Sequence, residues 1–171
     1  KTIESHLDNV AVKIKDAIGS QPFFVDSRYL DGNRYMNNGT HHLKFLFEDF
    51  KAKEIEGIPL TGLSRVKEYH EAVKEISKED KKGICLRIEK NELSLKDLSS
   101  KIDELLDFYQ IALEDVDLLI DLKDIDEDNR DLYFLSIKAF LTNGLPNIHS
   151  WRSVILAATA FPENLSNIAA N

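Results

Sequence analysis

Five short apolar segments recur along the chain at intervals of about 32 residues, and a helical pattern fills each interval. The segments are 22–27, 57–63, 83–88, 116–122 and 152–160. A strand-length apolar run that alternates with a helix is typical of a repeated strand–helix unit, in which consecutive strands pair in parallel. The spacing therefore predicts an α/β fold with five parallel strands, each buried on both faces.

The length of the chain restricts which α/β architecture these units can build. Five units fill 171 residues, whereas a closed eight-fold barrel needs roughly 250. We therefore expect residues 1–171 to form a single α/β domain with a partial TIM-barrel-like fold; an open doubly wound sheet is the alternative. The sequence begins at Lys1, and its only methionine is Met36. On that basis we expect a truncated or partly ordered piece of a longer barrel.

Charge and composition exclude few function classes. The net charge is −8, from 22 basic and 30 acidic residues, which weighs against non-specific binding to nucleic acid because that needs a basic surface. The sequence has no apolar run of membrane-spanning length and no signal-peptide pattern. The one cysteine, Cys85, lies inside a predicted strand, where we expect a small buried side chain. A cytoplasmic protein is the resulting prediction.

Apolar spacing and capping signals predict the helices between the strands. The first is predicted over 2–18, and the second has Thr40 as its N-cap and Leu43, Leu46, Phe47 and Phe50 facing inward. Ser94 and Asp97 resemble a capping box before the fourth helix. The fifth helix is predicted to start at Asp126 or Asp128 and to end near Thr142, with Gly144 as its C-cap. Residues 29–39 have no apolar period and are predicted to form an irregular exposed loop.

Short motifs at the strands resemble those of a known family. The sequence reads Phe-Val-Asp-Ser-Arg at 24–28, Ile-Pro-Leu-Thr-Gly at 58–62, Gly-Ile-Cys-Leu-Arg-Ile at 83–88, Asp-Leu-Leu-Ile-Asp at 117–121 and Ala-Phe-Pro-Glu-Asn at 160–164. In this order and spacing they resemble the Beta protein family of phage and bacterial genomes. The resemblance implies a barrel-like α/β fold and a setting in phage or mobile elements. It implies no reaction.

Polar residues late in the strands define a candidate site. They are Asp26, Thr61, Arg87 and Asp121, with Arg28 just beyond the first strand. Sites in parallel α/β folds lie at the carboxyl ends of the strands, so we expect these five side chains around one cleft. A charge inside an apolar strand must be paired or solvated. We therefore expect Arg87 to lie within reach of Asp26 or Asp121.

The cluster has two interpretations. As an anion site, Arg87 would hold a phosphate or carboxylate with its planar guanidinium, and Asp26 and Asp121 would serve as acid and base. As a structural feature, the same residues would form an internal ion network. Two carboxylates without a spaced partner are a weak signal for a metal, and we predict none. Glycine-rich phosphate loops are absent from the sequence, so we predict no cofactor.

Two further sets of residues are candidates for a functional role. His41 and His42 are adjacent, so on a helix they point about 100° apart and do not share a metal easily; we interpret them as a solvated helix start. Arg28, Tyr29, Arg34 and Tyr35 interleave basic and aromatic residues, a pattern that single-stranded nucleic acid can use. Because the chain is acidic, a surface lid is favoured.

Two function classes follow from these patterns. The first is a phage- or defence-associated interaction protein that engages a partner protein through the strand carboxyl ends. The second is an enzyme that acts on an anionic small molecule, phosphorylated or carboxylated. The pairing of Arg87 discriminates between them, because a fully paired guanidinium is structural and an open one can hold an anion.

Overall fold

The computed structural model describes residues 3–30, 35–125, 129–145 and 147–159. Within these ranges, strands and helices alternate as predicted. The strands are β1 (Phe23–Val25), β2 (Gly57–Gly62), β3 (Ile84–Glu89), β4 (Val116–Asp124) and β5 (Ser153–Thr159). The helices are α1 (Ile3–Leu7), α2 (Val10–Ile18), α3 (His42–Ala52), α4 (Lys67–Asp80), α5 (Leu98–Tyr109) and α6 (Arg130–Ala139).

The five strands follow chain order in one sheet, β1-β2-β3-β4-β5. The strands are parallel: β1 pairs with β2 from Phe23 opposite Gly57, and β4 pairs with β5 from Asp117 opposite Ser153. A doubly wound sheet would place the first strand in the interior of the sheet. The observed order is that of consecutive strands in part of an eight-fold barrel, so the predicted α/β class is confirmed and the doubly wound alternative is wrong.

Contacts between Cα atoms group the chain into two compact units, within residues 1–86 and 87–171. The boundary falls inside β3, after Leu86. The first unit contains α1 to α4 with β1 and β2; the second contains α5 and α6 with β4 and β5.

The core of the first unit lies where α3 and α4 pack on the strands. The predicted inward face of α3 is confirmed, since Leu43, Leu46, Phe47 and Phe50 are all buried. A Cβ atom added to Gly57 would lie 2.9 Å from Cδ2 of Phe50. That distance is below van der Waals contact, so with Phe50 in this position a side chain at 57 would force the ring to shift.

The core of the second unit lies between α5 and the strands. Leu98, Ile102, Leu106 and Tyr109 are buried on one face of α5. Leu105, which the sequence placed inward, is half-buried, and the neighbouring Leu106 is buried instead. The capping box is wrong: Asp97 is the N-cap but makes no side-chain capping bond, and the Ser94 hydroxyl donates to the Asn91 carbonyl. Cys85 is buried in β3 as predicted.

Two other helices differ from the sequence prediction. The helix predicted over 2–18 is interrupted after Leu7, because Asn9 adopts a left-handed conformation with φ 62° and starts α2 as a separate helix. The helix before β5 ends at Ala139 and continues as a π-helical turn over Phe140–Gly144, with Leu145 as the C-cap in place of Gly144. The predicted starts at Asp126 and Asp128 lie outside the described residues.

The polar stretch after β1 is partly as predicted. Arg28–Leu30 forms one short 3-10 turn, and Tyr29 and Tyr35 are exposed. Met36 is buried, although we expected the whole stretch to be exposed. Residues 31–34, including Arg34, lie outside the described part of the chain.

Candidate functional site

The five predicted site residues divide between the two units. Asp26, Arg28 and Thr61 belong to the first unit, at or just beyond the ends of β1 and β2. Arg87 and Asp121 belong to the second, near the ends of β3 and β4. Each group is described by itself, and the single cleft that would join all five remains a prediction.

In the first unit, the partner of Asp26 is Arg65. The Asp26 carboxylate accepts a hydrogen bond from the Arg65 guanidinium and another from the Arg28 backbone N–H at 2.9 Å. Arg65 also lies over the ring of Tyr69, with its guanidinium carbon 4.9 Å from the ring centroid. Sequence reasoning missed Arg65; its signal was a basic residue three positions after the last residue of β2.

Thr61 contacts a helix of the first unit. It is fully buried near the end of β2, and its hydroxyl lies 3.5 Å from Nδ1 of His70 on α4. One residue earlier, the Leu60 carbonyl accepts a 2.8 Å hydrogen bond from the Tyr69 hydroxyl. These two contacts tie α4 to the carboxyl end of β2.

The interpretation of His41 and His42 as a solvated helix start is wrong, because both side chains are buried. Nε2 of His42 lies 3.0 Å from the hydroxyl of Ser27, and the His41 and His42 rings are 4.3 Å apart. His41 is the N-cap of α3: its Nδ1 accepts from the Leu43 backbone N–H at 3.2 Å. Contacts fifteen residues away cannot be read from the local helical pattern that suggested exposure.

The electrostatic surroundings favour a neutral His41. Burial lowers the pKa of His41 from 6.5 to about 4. The neighbouring His42 and Lys44 act in the same direction, while Glu68 opposes them. The capping bond agrees, since only an unprotonated Nδ1 can accept the Leu43 N–H.

An exposed aromatic residue follows β1 in the chain. Tyr29 is 92% exposed, although it is only four residues after the end of β1. The Arg28 guanidinium carbon lies 5.9 Å from the Tyr29 ring centroid. Arg28 is itself half-buried. Its backbone N–H donates to the Asp26 carboxylate, which fixes the backbone that carries the Arg28 and Tyr29 side chains.

In the second unit, Arg87 forms an ion pair with Asp121, which confirms the expected carboxylate partner. The two side chains are 15% and 16% exposed. Glu89 lies 3.7 Å from the Arg87 guanidinium and also pairs with Lys123. The strand ends therefore carry an alternating set of two cations and two carboxylates, which we call the ion cluster (Arg87, Glu89, Asp121 and Lys123).

Backbone contacts fix the ion cluster on its strands. The Lys123 N–H donates to the Asp121 carboxylate at 2.8 Å, and the Lys90 N–H donates to the Asp121 carbonyl at 3.0 Å. Lys123 has a left-handed backbone, φ 55°, at an irregularity in the β4–β5 register. Nearby, the Lys90 ammonium hydrogen-bonds to Asp124 and lowers the pKa of that exposed carboxyl.

A second buried carboxylate in this unit lies at the opposite ends of the strands. Asp117, near the start of β4, accepts from Arg152 at 2.6 and 3.1 Å and from the Ser153 hydroxyl at 2.6 Å. This bidentate ion pair joins the starts of β4 and β5. The ion cluster, near the carboxyl ends of β3 and β4, is the candidate site of the unit.

Other features of the two units do not coincide with the strand carboxyl ends. A cavity of about 190 Å³ is lined by Phe47, Phe50, Gly57, Glu79 and Lys82 among others, and Gly57 is the first residue of β2. Across the residues that the structure describes, no group of three or more His, Cys, Asp or Glu side chains is arranged to hold a metal ion. Among the same residues, no helix combines the length and apolarity needed to cross a bilayer.

The family model described as Beta protein matches residues 1–171, which is the whole chain. No curated protein and no solved structure matches the chain.

Proposed function

The chain belongs to the Beta protein family, and from its strand-end geometry we propose that it is an interaction module that binds a protein partner through the carboxyl ends of its strands. The setting we propose is phage infection or bacterial defence, in line with the family resemblance, and the single cysteine is the reason to propose the cytoplasm. The contacts of the described residues favour binding over catalysis.

The observation that carries the proposal is the exposure of Tyr29. Tyrosine and arginine are among the side chains that contribute most to protein–protein affinity, and tyrosine buries a large area at low entropic cost. Tyr29 is 92% exposed and Arg28 lies against its ring. An isolated domain gains nothing from an aromatic ring held in water, whereas a partner surface would bury it.

The charged side chains at the strand ends of each unit support a protein partner over a small anion. Asp26 is matched with Arg65, Arg87 with Asp121, and Lys123 with Glu89. Each of these three cations already has a carboxylate, so a free phosphate at any of them would have to displace an internal partner. A protein surface of mixed charge can instead complement both signs at once.

The alternative is an enzyme that acts on an anionic small molecule, with Arg87 as the anion-binding group. Arg87 and Asp121 are each about one-sixth exposed and paired with one another. That geometry corresponds to the structural interpretation of the cluster, so the enzyme is the less supported proposal. Its distinguishing feature would be saturable binding of inorganic phosphate or a simple carboxylate.

The test uses the full chain as bait in a lysate of phage-infected bacteria, with Tyr29→Ala as the variant and Phe134→Ala as the matched control. Phe134 is also an exposed aromatic residue, at 63%, but lies on α6 in the other unit. We expect one protein to bind the wild type and the control equally and to bind Tyr29→Ala at least about tenfold more weakly.

Two results would contradict the proposal. Equal retention of every bound protein by Tyr29→Ala would remove Tyr29 from the interface. A rise in the thermal midpoint with inorganic phosphate, absent in Arg87→Met, would favour the enzyme, because a ligand that binds only the folded state stabilises it.

A further inference from the structure

The segment 35–41, which we call the clasp, is a closed turn in front of α3. Tyr35 and His41 form an antiparallel bridge across its ends. Inside it, the Met36 N–H donates to the Thr40 carbonyl at 2.8 Å, and the Gly39 N–H donates to the Met36 carbonyl at 2.9 Å. Gly39 has φ +82°, which suits a glycine in this tight turn. The turn holds the Met36 side chain in a buried position, 5% exposed.

His41 connects the clasp to the rest of the first unit. Its ring packs edge-on against Tyr35 at 5.6 Å and against Tyr69 of α4 at 6.1 Å. Its Nδ1 accepts the Leu43 N–H, and its neighbour His42 contacts Ser27 beyond β1. His41 therefore takes part in the bridge through its backbone, while its imidazole caps α3 and packs against two aromatic rings.

We propose that acid opens the clasp. Neutral His41 keeps it closed, and it opens when His41 takes up a proton. Protonation at Nδ1 removes the acceptor of the Leu43 N–H. It also places a positive charge at the amino end of α3, where the helix dipole is itself positive. The opening of the clasp does not depend on the binding role proposed above.

The charges around His41 work against its protonation in the closed state. His42 and Lys44 on α3 disfavour the cation, and Glu68 on α4 favours it; the rings of Tyr35 and Tyr69 also face the imidazole. The pKa of His41 in the closed state, about 4, lies below its ordinary 6.5. The clasp is therefore most stable above pH 6.5 and loses stability as the pH falls from 6.5 towards 4.

Two single residues make the test selective. Met36 is the only methionine and Trp151 the only tryptophan of the sequence. A ¹³C-labelled Met36 methyl group reports on the clasp by NMR, and Trp151, buried in the second unit, reports on unfolding elsewhere by fluorescence. We expect the methyl signal to move from its buried position to that of a solvated methionine between pH 6.5 and 4, while the tryptophan signal remains native.

Replacement of the cap separates His41 from other acid effects. Asparagine and serine cap helices without titrating in this range, so His41→Asn should keep the methyl signal buried down to pH 4; His41→Ser is the second choice if the first does not fold. His41→Ala should show the solvated signal already at pH 7. The proposal is overturned if the non-titrating variants follow the wild-type transition, if Met36 does not respond, or if Trp151 changes in the same step.

Discussion

The carboxyl ends of β1 and β2 and those of β3 and β4 occupy equivalent positions in the strand–helix repeat, but different forces stabilise them. In the first unit the rings of His41, His42 and Tyr69 contact one another, His42 and Tyr69 reach Ser27 and Leu60 near the ends of β1 and β2, and Asp26 pairs with Arg65. In the second unit they carry the ion cluster. The repeat therefore determines where side chains meet, but it does not determine whether ring contacts or ion pairs stabilise the strand ends.

One helix from each unit, α3 from the first and α6 from the second, shows a contrast in burial. α3 buries five side chains, whereas α6 buries none, and Leu132, Phe134 and Leu135 of α6 are 60–63% exposed. Apolar burial is the main favourable contribution to folding. Truncations in α3 should consequently reduce stability far more than truncations in α6.

The largest expected effect comes from Phe50→Ala. Phe50 is buried against Phe23, Phe47 and Gly57, so its removal should lower the free energy of unfolding by about 3–5 kcal/mol. Phe134→Ala is the control and should change it by less than about 0.5 kcal/mol. Urea titration measures both. Similar losses in the two variants would break the contrast between α3 and α6.

Arg87→Met tests the second unit. It leaves the Asp121 carboxylate largely buried without its guanidinium, and we expect a loss of about 3 kcal/mol. The double variant Arg87→Met/Asp121→Leu should recover most of that loss, since apolar replacements of both partners are often neutral. If the double variant is no more stable than the single one, the cost does not arise from an unpaired carboxylate.

Tyr69→Phe sharpens the comparison within the first unit. It keeps the buried ring but removes the hydroxyl that donates to the Leu60 carbonyl. The expected loss is about 1 kcal/mol, the usual net contribution of such a bond. Tyr29→Phe removes an exposed hydroxyl and should leave the urea midpoint unchanged. Equal effects of the two variants would argue against the Tyr69–Leu60 bond as a stabilising contact.

The smallest effect is expected at the margin of the ion cluster. Lys90→Gln removes the ammonium that hydrogen-bonds to Asp124. The pKa of the Asp124 carboxyl should rise towards its ordinary value of 3.8, while the urea midpoint stays the same because exposed ion pairs contribute little. An NMR titration of Asp124 follows the pKa. An unchanged pKa would show that Lys90 is not its cause.

Features that depend on local pattern were predictable from the sequence. The strand positions followed from the apolar runs, and the buried face of α3 followed from the spacing of Leu43, Leu46, Phe47 and Phe50. The expected partner of Arg87 was found in Asp121, because an apolar strand leaves a guanidinium few alternatives. These inferences needed only the period of the element and the cost of burying a charge.

Features that depend on contacts between distant segments were not predictable. Nothing near Asp26 indicates that Arg65, 39 residues later, reaches back to it. The burial of His42 depends on Ser27 and Tyr69, which lie on either side of it in the sequence. The break after α1 was missed for another reason: asparagine tolerates a left-handed backbone but does not require it.

The contact between Gly57 and Phe50 has a consequence for how the family can vary. A methyl group at position 57 would fall 2.9 Å from the Phe50 ring, so neither residue can change freely while the other stays. We expect the two positions to substitute together among family members, with alanine at 57 accompanied by a smaller side chain at 50. Aligned homologues would display this as a correlated pair, and such a pair would mark the start of β2 in members whose other motifs have diverged.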